Sequence, residues 1–131
     1  MVSSAMTKGQ LERELSQRIQ ALYREELEHR PSKVTCQILD REVAVIMEDA
    51  ITQAEQLLAR EGREQLAEEV RSDLSEVIRP KITEIIQEIL QVEVIDFLSD
   101  ATLTTGRSGF IAVLSDRPKF RESKSSKRQS P

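Results

Sequence analysis

The spacing of apolar residues along this chain switches from a helical to a strand period, and does so twice. Between Lys8 and His29 they fall at Leu11, Leu15, Ile19, Leu22, Tyr23 and Leu27. Steps of three and four put them on one face of a helix, and the positions between are mostly charged or Gln. Thr7 stands where a cap belongs. Pro31 closes the segment, because the residue before a proline is pushed out of the helical region. From Lys33 to Glu48 the step becomes two. Val34, Cys36 and Ile38 alternate with Thr35 and Gln37, and Asp40-Arg41 marks a tight turn. Val43, Val45 and Met47 then alternate with Ala44 and Ile46, which reads as a β-hairpin.

The second cycle begins at Thr52, which stands three residues before Glu55 in capping-box spacing. A short helix with Leu57 and Leu58 inward leads to Gly62, at the place of a C-cap or kink. The helical step resumes at Leu66, Val70, Leu74, Val77 and Ile78. It keeps its phase past Arg79-Pro80 through Ile82, Ile85, Ile86, Ile89 and Leu90. One long helix kinked at Pro80 is therefore expected. Val92–Leu98 and Phe110–Leu114 read as strands that extend toward each other, with a turn near Thr105-Gly106-Arg107. The fold class is α+β in the order α-ββ-α-ββ, a four-stranded, mostly antiparallel sheet with helices packed on one face. Residues 8–116 form the domain, residues 1–7 a disordered start and residues 117–131 a disordered basic tail. Strand order is not legible.

Two strands carry a consequence for assembly. Val43–Met47 and Phe110–Leu114 are apolar on both faces, as in a central or doubly covered strand. A helix layer covers one side only, and monomers rarely leave a large apolar patch open. A twofold homodimer is expected, unless the long helix wraps far enough to cover both sides.

Composition bounds the function. The net charge is −4, but Arg117–Pro131 holds six Lys or Arg against one acid, leaving −9 on the rest. An acidic body disfavours nucleic acid. The single cysteine, Cys36, cannot close an internal disulfide, which fits a reducing, cytoplasmic compartment. The longest apolar runs have five residues, far short of the roughly twenty a membrane span needs. No signal-peptide pattern is present.

Candidate chemistry is sparse. His29 stands alone at a helix end, where a cation meets the helix dipole favourably. Without a second His, a zinc site is not expected. Cys36 reads as a packed strand residue. Glu64, Glu68, Glu69, Asp73 and Glu76 are interleaved with Arg63, Arg71 and Arg79, as on a solvated helix face with ion pairs. The best candidate is the loop from Thr102 to Gly109. Thr102, Thr104, Thr105, Gly106 and Arg107 bring together hydroxyls, a guanidinium and a backbone free to approach an anion. The same residues also suit a plain hairpin turn. No catalytic residues, metal or cofactor are expected.

Several segments together resemble the MpsC-like family of small bacterial proteins, with cyanobacterial members nearest. They are Lys8-Gly9-Gln10-Leu11-Glu12, the first hairpin, Gly62-Arg63-Glu64 with Val70-Arg71, Arg79-Pro80, and Asp100 with Thr102, Thr104, Thr105 and Gly106. Family members often have Gly where this chain has Gln91, just before the third strand. The resemblance implies a soluble, non-catalytic accessory protein linked to a Na⁺-translocating, membrane-potential-generating system or to inorganic-carbon transport. A protein partner in a membrane complex follows from it, without insertion into the membrane. A small-ligand or anion sensor built on Thr102–Gly109 is the alternative.

Overall fold

The computed structural model describes residues 6–122. The elements run α1 (Lys8–Leu27), β1 (Lys33–Leu39), β2 (Glu42–Glu48), α2 (Gln53–Arg60), α3 (Glu64–Leu90), β3 (Val94–Thr102) and β4 (Arg107–Leu114). Thr7 caps α1 in a full capping box with Gln10, and Glu28 ends it in the left-handed region. Thr52 and Glu55 form the expected capping box on α2. The long helix α3 passes through Pro80 as one element. Proline there removes one i→i−4 hydrogen bond, and it does so on an exposed part of the helix. Gln91 serves as the C-cap that a glycine would otherwise supply. Its backbone is left-handed (φ 58°), its N–H donates to the Gln87 carbonyl at 2.9 Å, and its side-chain amide donates to the Glu88 carbonyl at 2.7 Å.

The sheet is antiparallel throughout, in the order β1-β2-β4-β3. Each hairpin keeps its own pair, and β2 meets β4 at the centre with Val45 opposite Phe110. The two most apolar strands are thus the two central ones. β3 begins later than the sequence pattern suggested and carries a bulge between Val94 and Asp96.

One sheet face holds Cys36, Ile38, Val43, Val45, Met47, Phe110, Ala112 and Leu114, all buried. Leu11, Leu15, Ile19 and Tyr23 of α1 and Ile78 through Leu90 of α3 close over it. Each such aliphatic side chain contributes about 1.5–3 kcal/mol. Phe97 stacks on Phe110 at 4.8 Å between centroids, and the Arg79 guanidinium sits 5.7 Å from the Phe97 ring centre.

Two expectations about facing need correction. Leu57, Leu66 and Val77 are exposed, not inward. In its first half α3 buries Ala67 and Arg71 instead, a stripe shifted by one residue, because that half packs on α2, where Arg71 meets Glu55. Residues flanking 8–116 make contacts as well. The Arg121 N–H donates to the Met6 carbonyl at 2.7 Å, Arg117 pairs with Asp40 at 2.5 Å, and Pro118 is buried. The rest of the expected disordered tail, residues 123–131, and residues 1–5 lie outside the described residues.

Candidate functional site

Because α3 leaves the sheet in its first half, a cleft of about 1010 Å³ opens between it and the end of β3. One wall is the α3 face at Glu64, Glu68, Ser72, Ser75 and Arg79, positions three or four apart that share a side of a helix. The other wall is Ser99 to Thr102 and the β3–β4 turn. Four of the five residues singled out in the sequence, Thr102, Thr104, Thr105 and Gly106, line it.

Arg107 does not. The strand period sends its side chain to the opposite sheet face, where Nε donates to Glu48 Oε1 at 3.0 Å and Oε2 at 3.2 Å. Two of the loop's N–H groups are engaged within the turn. The Gly106 N–H donates to the Thr102 carbonyl at 2.9 Å, and the Arg107 N–H donates to Thr105 Oγ1 at 3.3 Å. The Gly106 carbonyl accepts from the Ala50 N–H at 2.8 Å, tying the turn to the chain after β2. Gly106 is left-handed (φ 79°), a conformation glycine adopts without strain.

Beneath the cleft lies a group that sequence reasoning missed. Glu55 is fully buried and Arg71 is 7% exposed. Arg71 Nε donates to Glu55 Oε2 and Nη2 to Oε1, both at 2.8 Å, and Nη2 also reaches the Ala50 carbonyl at 3.1 Å. The Thr52 hydroxyl donates to Oε1 at 2.7 Å. A forked pair with its other lone pairs satisfied is the geometry in which a buried charge is tolerated. Tyr23 lies beside it, and burial raises its phenol pKa against the lowering pull of Arg71. The signal was present in the sequence. Arg71 stands four residues after Ala67 and seven before Ile78, in phase with the buried stripe.

His29 Nε2 contacts the Asp49 carbonyl at 2.6 Å and helps close the loop after β2. Cys36 is buried, and burial pushes its thiol up to about 11. A thiol so raised is a poor nucleophile at neutral pH. Among the described residues no group of three or more His, Cys, Asp or Glu is placed to hold a metal ion.

The second surface is the sheet face that the helices leave open. Ile46, Leu98 and Ile111 are 51%, 55% and 44% exposed. With Ala44, Gly109 and Thr102 they line a shallow groove of about 480 Å³, bordered by the Glu48–Arg107 pair. The helix layer does not wrap around to cover it.

Fold and surfaces together define a small α+β protein with one closed and one open sheet face. The family model described as "Na+-translocating membrane potential-generating system (MpsC)" matches residues 7–116, and the chain belongs to that family. No curated protein and no solved structure matches it. Segments that carry the family resemblance, at Val70-Arg71, Arg79, Asp100 and Thr102 to Gly106, meet in the cleft or directly under it. No helix among the described residues is long and apolar enough to cross a membrane.

Proposed function

We propose that this chain is a non-catalytic accessory protein of the Na⁺-translocating system that names its family, acting by association at the inner face of the membrane. The observation that carries the reading is the open apolar stripe of Ile46, Leu98 and Ile111. A patch of this kind marks an interaction surface. Its first occupant is a second copy. The stripe is centred on β2 and β4, which run antiparallel with Ala44 opposite Ile111. A twofold axis at that point lays each large side chain of one copy against the stripe of the other. The Glu48–Arg107 pair at its border is satisfied within one chain, so it brings no unpaired charge to the contact. Anion sensing through Thr102–Gly109 has less support, because Arg107 is held by Glu48 and does not line the cleft shared by the other four residues.

Native mass spectrometry of the protein purified gently from its own cells tests this reading. A homodimer retaining a membrane-complex protein is expected. A bare monomer would contradict it.

A further inference from the structure

Among the described residues β3 is an edge strand, since none of them pairs with it on the side away from β4. Its outward backbone is guarded in a particular way. The Phe97 N–H donates to Asp96 Oδ1 at 2.9 Å, and the Ala101 N–H donates to Asp100 Oδ1 at 2.8 Å. Both donors therefore point away from β4, and by the two-residue period the Ser99 N–H points the same way. Carboxylates along an edge reject an ordinary strand. The groove beside this edge is acidic on its far wall as well, with Glu64, Glu68 and Glu76 on α3. Of the arginines that line it, Arg71 is committed to Glu55, leaving Arg60 and Arg79 against five carboxylates.

We propose that the groove between β3 and α3 takes an extended, lysine- or arginine-bearing segment of a partner protein, added to the sheet as a fifth strand beside β3. The partner's carbonyls accept from Phe97, Ser99 and Ala101. Its basic side chains on one face meet Asp96 and Asp100, releasing those carboxylates from their own backbone, and on the other face meet the α3 glutamates. The aspartates that repel most strands thus select a basic one, discrimination by repulsion and attraction at the same atoms. Strand addition is an established way for an open sheet edge to bind a peptide. Asp96 and Asp100 share the open sheet face with Leu98, so this edge adjoins the apolar stripe; the backbone pairing at Phe97, Ser99 and Ala101 is read independently of the oligomeric state.

The test uses the full chain and three synthetic nonapeptides: alternating lysine and threonine, alternating glutamate and threonine, and the lysine peptide N-methylated at alternate backbone positions. Binding is read by fluorescence anisotropy, and amide exchange by NMR. The lysine peptide is expected to bind and to slow exchange at Phe97, Ser99 and Ala101 at least tenfold. Asp96→Asn and Asp100→Asn should each weaken it about two- to five-fold, and N-methylation should abolish protection. Equal binding of the glutamate peptide, or binding that leaves those three amides unprotected, would overturn the proposal. A chain ending at Glu122 supplies one further arm. If the three amides are protected in the full chain alone and lose protection in the shortened one, the occupant is the chain's own basic segment, and the partner-protein assignment fails.

Discussion

Arg71 grips both carboxylate oxygens of Glu55 across the junction of α2 and α3, at 2.8 Å each. The pair joins three features that lie far apart in the sequence. Glu55 also closes the α2 capping box, and Arg71 holds the Ala50 carbonyl. Ala50 in turn donates to Gly106 in the β3–β4 turn. The cleft floor and the turn that walls it are therefore set by one ion pair.

Removing one partner strands the other charge in the interior. Arg71→Met and Glu55→Leu are each expected to cost about 3–5 kcal/mol. The double variant Arg71→Met with Glu55→Leu should cost much less than the two single changes added together. Urea denaturation of all four forms completes the cycle. Simple additivity would mean the pair does not act as a unit.

Alkaline pH should destabilise the fold in a predictable window. The Cys36 thiol is raised from 9.0 to about 11 in the folded chain, chiefly by burial and also by the nearby Glu12 carboxylate. Between those values the unfolded chain has lost the proton that the folded chain keeps. Stability contributed by the buried thiol is thus complete below about pH 9 and is lost as pH rises toward 11. Tyr23, also raised, adds a loss of the same sign at higher pH. Thermal melts of Cys36→Val should fall less steeply from pH 9 to 11 than those of the parent. Iodoacetamide should leave Cys36 unmodified at pH 7.5 in the folded protein and label it in urea.

Gly109 occupies a position with no room for a side chain. A Cβ there would lie 2.9 Å from the Val45 carbonyl oxygen and 2.9 Å from Ile46 Cδ1. The isoleucine can swing aside, but the carbonyl belongs to the central strand pair and cannot. Gly109→Ala is expected to cost about 1–3 kcal/mol, as overpacking does. A matched denaturant midpoint would show that β2 and β4 can separate freely at that point.

The legible parts of the fold are those set by local period. α1, the first hairpin and the run from Ile78 to Leu90 follow directly from apolar spacing, because each buries one face against the sheet. Sheet order was not legible, since pairing β2 with β4 joins segments more than sixty residues apart. The inward face of α3's first half was misread for a physical reason. Its central buried residue is an arginine, and only Glu55, far back in the chain, makes that burial tolerable. The candidate site was legible in part. Thr102, Thr104, Thr105 and Gly106 do share a cleft wall. Arg107 leaves it because β4 starts there, and the strand alternation turns its side chain to the other face. The open face itself was foreseeable from Val43–Met47 and Phe110–Leu114, whose outward positions are as apolar as their inward ones.

The uncovered stripe is the centre of the functional reading, and sedimentation velocity at micromolar concentration tests it most directly. The parent chain is expected to sediment as a dimer. Ile46→Glu and Ile111→Lys, both at exposed positions, should sediment as folded monomers with circular dichroism unchanged. A monomeric parent at those concentrations, or variants that remain dimeric, would contradict an interface on this sheet face.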